Sequence, residues 1–134
     1  MASYTKIYAF TENVCEKVFN LQSDSLKVAL SNSSIAQTVD VLSGVTEISY
    51  TNCSSRVITV SSSSQTSGTY SLVTTDLVLT ASGGTVGPFR YVYIYDDTAA
   101  SDQGICTFDY GSSITLNDTE TFTIDFGSSL FTLA

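Results

Sequence analysis

The stretch from Ala81 to Asp97 constrains this chain more than any other. It begins with Gly83, Gly84, Gly87 and Pro88, where backbone φ can turn positive and one ladder donor is missing. Seven strand-forming positions follow, Phe89 to Tyr95. A period of two puts Phe89, Tyr91, Tyr93 and Tyr95 on one face and Arg90, Val92 and Ile94 on the other. A strand that is apolar or aromatic on nearly both faces needs cover on both, so it belongs in the middle of a sandwich or barrel. Asp96-Asp97 closes it in a turn.

The remaining sequence supplies the cover. Leu26, Val28 and Leu30 alternate with Ser25, Lys27 and Ala29 as one strand. Arg56–Ser62 reads as another, with Ser61–Gly68 as a polar connection or strand edge. Tyr70–Val73, Leu77–Leu79, Ile105–Tyr110, Ile114–Leu116 and Leu130–Leu133 are further short strands, and Gly111-Ser112-Ser113 reads as a turn. Thr121–Phe126 alternates without error, Phe122, Ile124 and Phe126 inward. Residues 35–50 fit neither period and read as irregular, with a helical turn near Asp40. Ile7, Phe10, Val14, Val18 and Leu21 form the only amphipathic stripe, which predicts one helix over about residues 3–20, capped by Ser3 or Thr5. Glu12, Glu16 and Lys17 fall on its wet side, and the stripe covers the sandwich or serves a partner. The expected fold is all-β: a single domain over 1–134, an antiparallel, jelly-roll-like β-sandwich from about residue 25 with one N-terminal α-helix.

Composition narrows the function. Five Lys and Arg against 13 Asp and Glu give a net charge of −8, which opposes nucleic-acid and anionic-membrane partners. Charged residues make up 13%, about half the globular norm of roughly 25%, so Ser and Thr carry the surface. Residues 1–22 hold no basic segment followed by an apolar run, and no window reaches the ~18–20 apolar residues of a membrane helix. Synthesis in a cytoplasm is expected, with Cys15, Cys53 and Cys106 as buried free thiols.

No histidine is present, which removes the commonest base, zinc ligand and nucleophile partner. No phosphate-cradle or nucleophile-elbow motif occurs, so no catalytic, cofactor-binding or metal-binding residue is expected. Asp96, Asp97 and Asp102 share one loop and can offer oxygens to Ca²⁺, but their spacing is not that of an EF-hand, and Asp serves hairpin turns in its own right. Asp118 and Glu120 read as turn solvation. The tyrosines could form a sugar-stacking platform, but Trp is missing and Tyr91, Tyr93 and Tyr95 sit on the strand expected inside, so burial is favoured.

Several segments together resemble a family of small virion structural proteins of tailed bacteriophages. They are Asn20–Leu30, Thr46-Glu47-Ile48, Thr80–Tyr91, Tyr95–Ala100, Asp109–Leu116 and Glu120–Phe126, in order along nearly the whole chain. Ser49–Cys53 departs from the pattern, standing where the family has a glycine-rich turn. The resemblance implies a capsid decoration (cement) protein, without catalysis, bound to the major capsid protein on the outside of the head. It implies a homo-oligomer, a trimer at three-fold positions, and location in the virion after synthesis in the host cytoplasm. The implied contacts are the N-terminal helix and the loops at 31–55 and 96–104. A tail, neck or baseplate component is the alternative within the virion. A carbohydrate-binding or adhesin module is the alternative outside it.

Overall fold

The computed structural model describes residues 2–134. Ten strands and one helix make an all-β body of antiparallel sheets, with the helix near the N-terminus. Strand β1 (Ser3–Lys6) leads into helix α1 (Tyr8–Cys15), and β2 (Leu26–Ser31) is followed by an irregular segment with a 3₁₀ turn at Leu42–Gly44. Then come β3 (Val57–Ile58), β4 (Val60–Thr66), β5 (Thr69–Thr74), β6 (Leu77–Thr80), β7 (Val86–Asp96), β8 (Gly104–Leu116), β9 (Thr121–Ile124) and β10 (Phe131–Leu133). The main sheet runs β1-β8-β7-β2-β3, a second β10-β5-β4, and a third β6-β9.

The Phe/Tyr segment lies in the centre. β7 is the third of five strands, bonded to β2 and β8, and Val92 through Asp96 are five consecutive buried residues. Val92, Tyr93 and Ile94 are 0% exposed; burial of one such side chain contributes about 1.5–3 kcal/mol. The short sheets close over the main one through aromatic edges. Phe122 of β9 meets Phe89 at 5.5 Å and Tyr110 at 5.0 Å, and Phe126 packs on Phe108 at 6.2 Å. Phe10 of α1 meets Phe131 of β10 at 5.0 Å and Phe19 at 5.5 Å, so the helix covers the β10-β5 end.

Several local readings need correction. The helix spans only Tyr8–Cys15, not about 3–20. Ser3–Lys6 instead pairs along the free edge of β8, from Ser3 opposite Asp109 to Lys6 opposite Cys106, and Tyr4 packs edge-on against Phe108. The N-cap is Ile7, whose side chain cannot cap, so neither Ser3 nor Thr5 has that role. At the other end Lys17 takes φ 65 and the Val18 N–H donates to the Asn13 carbonyl at 2.9 Å, a Schellman closure made without glycine. The apolar stripe therefore outlasts the helix.

Of the two readings of the serine run, strand edge holds and connection does not: β4 pairs with β5 from Val60 to Thr66, and only Ser67-Gly68 turns. Gly111-Ser112-Ser113 is a bulge within β8, not a turn. Opposite β7, the step from Tyr91 to Phe89 is matched by the step from Asp109 to Ile114. Gly111 supplies φ 82 and its N–H donates to Asp109 Oδ1 at 2.8 Å, while Arg90 grips both oxygens of Asp109 at 2.8 and 3.1 Å. Finally, Cys106 is buried but Cys53 is half-buried and Cys15 exposed; all three are free.

Gly104 opens β8 where the chain passes against the Tyr93 phenol, and a Cβ there would collide with the ring. The ring cannot yield, because it is fully buried and its hydroxyl donates to the Val39 carbonyl at 2.9 Å. Gly104→Ala is expected to lower the unfolding free energy by about 1–3 kcal/mol, read as a lower urea midpoint at unchanged slope. An unchanged midpoint would show that this end of the sheet gives way freely.

Candidate functional site

The residues expected to meet at one loop are held apart. Asp97 pairs with Lys27 at 3.3 Å, and Asp102 contributes its backbone carbonyl to the Leu42 N–H at 3.1 Å. Asp96 is 0% exposed and faces inward. No group of three or more Cys, Asp or Glu side chains is placed to hold a metal ion among the described residues. The β7 phenols offer no platform either: Tyr93 is 0% and Tyr95 3% exposed, and the half-buried Tyr91 has the Arg90 guanidinium 5.1 Å from its ring centre. The tyrosines that do reach solvent, Tyr4 and Tyr8, are on β1 and α1. No helix among the described residues is long and apolar enough to cross a membrane.

Asp96 is held in an unusual way. Its Oδ1 accepts from the Thr98 N–H at 2.9 Å and the Ala99 N–H at 3.2 Å, which is the turn geometry an Asp at this place favours. Its Oδ2 is buried and has no donor of the ordinary kind. The neighbour there is the Asp24 carboxyl, within hydrogen-bonding reach. Asp24 is fixed by the Asn20 N–H at 2.8 Å, and the Asp97 N–H donates to the Ser25 carbonyl at 2.8 Å. A carboxyl close to a second one is harder to ionise. Burial first, then Asp24, pushes the Asp96 carboxyl up to about 7, against the pull of the two turn N–H groups. Nothing in the sequence separated this Asp from an ordinary turn residue, because its partner lies 72 residues earlier in the chain.

The irregular segment between β2 and β3 is strapped onto the main sheet by two residues that periodicity does not reveal. Tyr50 accepts from the Leu30 N–H at 2.9 Å and donates to Glu47 Oε1 at 2.7 Å. Arg56 lies 3.7 Å from the centre of the Tyr50 ring and donates to the Val28 carbonyl at 2.7 Å. Burial pushes the Tyr50 phenol well above its usual range, so it remains a donor at working pH. The Ser49–Cys53 departure thus forms a clamp on the outer side of β2.

A largely apolar concavity of about 470 Å³ lies against Phe108, Tyr110 and Phe126 with Asp125 in its lining, and two more flank β10. On one side is a concavity of about 440 Å³ lined by Val14, Phe19, Leu21, Tyr70, Phe131 and Leu133. On the other is one of about 430 Å³ lined by Tyr4, Phe10 and Leu130. Lys17 and Lys6 stand at their rims, and no carboxylate lines either. This surface is suited to burial against another body, not to acid–base chemistry.

The Asp24–Asp96 contact sets a pH dependence. A carboxyl whose folded value is raised stabilises the fold fully below its unfolded value of about 3.9, and that contribution is lost as pH rises through about 7. Unfolding free energy should therefore fall across that window and level off above it, and Asp96→Asn should flatten the fall. A profile already flat in the unaltered chain would contradict a raised Asp96 carboxyl. Comparison with protein-family models, with curated proteins and with solved structures found no match to this chain.

Proposed function

We propose that this chain is a non-enzymatic structural component of a tailed-phage virion, a decoration protein that binds the outside of the assembled head as a homo-oligomer and stabilises it. The observation that carries this reading is the open surface around β10, apolar and free of converging ionisable groups, on a body whose central strand is enclosed. The nearly end-to-end resemblance to small virion proteins gives that surface its partner, the major capsid protein. The mechanism is mass action: a ligand that binds the assembled shell and not its free subunits stabilises the shell by its binding free energy. Symmetric sites on an icosahedral shell let an oligomer engage several equivalent contacts at once.

Mass spectrometry of purified DNA-filled heads, with copy number, tests this. Hundreds of copies per particle are expected. Small multiples of six or twelve would move the protein to the tail or neck, and its absence from particles would end the virion reading. Leu133→Asp, which puts a charge on an exposed side chain lining both concavities, is expected to reduce shell binding at least tenfold with retained folding. Unchanged binding would exclude this face.

A further inference from the structure

Charged residues are spread through this chain except over Val57–Thr75, nineteen consecutive residues without Asp, Glu, Lys or Arg and the longest such run. The β4-β5 hairpin occupies most of it. At its tip Ser67 and Gly68 take φ 51 and φ 85, and Thr66 faces Thr69. Next to a two-residue turn of this kind the closing pair exchanges both backbone bonds, and bonding then alternates along the strand. Thr66, Ser64 and Ser62 therefore bond to β5, while Ser63 and Gln65 turn their N–H and C=O groups away from it. β4 is the outermost strand of its sheet, and no other backbone bonds to that side of Val60–Thr66 among the described residues.

The other edge strands are shorter or covered. Along β6, Ser54 donates its N–H to the Thr80 carbonyl at 3.1 Å and accepts the Thr80 N–H on its Oγ at 2.9 Å. β1 carries Lys6, and β3 and β10 have two and three residues. β4 has seven residues, no charge and no proline, and its one irregularity, between Val60 and Ser62, lies at its start. An uncovered, uncharged edge of this length pairs with another strand unless something blocks it.

We propose that β4 is a self-association edge, through which two copies pair antiparallel, β4 to β4, about a two-fold axis at Ser63. A second copy is the occupant that the charge distribution selects. Each chain carries a net charge of −8 and is repelled by its like over most of its surface, but across this hairpin no like charges meet. The axis at Ser63 sets Ser62 opposite Ser64 and Ser61 opposite Gln65, hydroxyls and one amide without steric conflict. The backbone groups of Ser63 and Gln65 on each copy find partners, and the two three-stranded sheets become continuous. The contact is two-fold, in place of the three-fold trimer that the resemblance implies. It needs no shell, so it stands or falls separately from head binding.

Sedimentation equilibrium from micromolar to millimolar protein tests the pairing. The mass is expected to rise toward twice that of the 14.3 kDa chain. The double variant Ser62→Lys with Ser64→Lys, and the double variant Ser62→Glu with Ser64→Glu, should each remain monomeric with an unaltered circular dichroism melt. An equal mixture of the two should recover the dimer, because lysines then face glutamates. A monomer at all concentrations, a trimeric mass, or a mixture that stays monomeric would overturn the proposal.

Discussion

Everything in this molecule depends on the enclosure of β7. Five consecutive residues without solvent exposure leave a backbone whose N–H and C=O groups have no recourse to water, so β2 and β8 must flank it along its length. Their own apolar faces then require β6-β9 and β10-β5 above, and α1 and β1 at the end. The aromatic contacts between layers, Phe89 to Phe122 and Phe108 to Phe126, are the consequence of that demand. A single Phe/Tyr-rich strand thereby organises two smaller sheets and a helix.

Polar residues inside this frame work as fasteners. Tyr93 reaches out of the core to the Val39 carbonyl, Tyr50 and Arg56 clamp the irregular segment along β2, and Asp24 meets Asp96 where the turn after the helix passes the β7-β8 loop. Each joins a stretch without regular structure to a regular strand. The loops at 31–55 and 96–104 are thus tied to regular strands. The groups involved are hydrogen-bonded to backbone or to one another, so they build shape.

The central strand and the alternation of Thr121–Phe126 were legible because burial on both faces, or on one, writes itself directly into the period. The ends of the helix were not. Ser3–Lys6 has the polarity of a helix start, and only the free edge of β8, more than a hundred residues away, makes it a strand. The stop at Lys17 uses a left-handed residue that is not glycine, so no letter announces it. The Ser61–Gln65 stretch stayed open between connection and strand edge for a related reason: its side chains are mostly exposed on both faces, so hydrophobic period carries no signal. The carboxyl pair was invisible because Asp96 has the same local sequence whether its second oxygen meets water or Asp24. Local chemistry is readable from local letters; long-range contacts between polar residues are not.

A passive role on a larger assembly follows only if the body is rigid and its centre closed. Native-state amide hydrogen exchange resolved by residue measures this most directly. Val92–Tyr95 are expected to exchange only through global unfolding, with protection equal to the full unfolding free energy, while Ser63 and Gln65 of the monomer exchange far faster. Exchange of Val92–Tyr95 by local opening, at rates approaching those of the β4 edge, would contradict the enclosed strand and the account built on it.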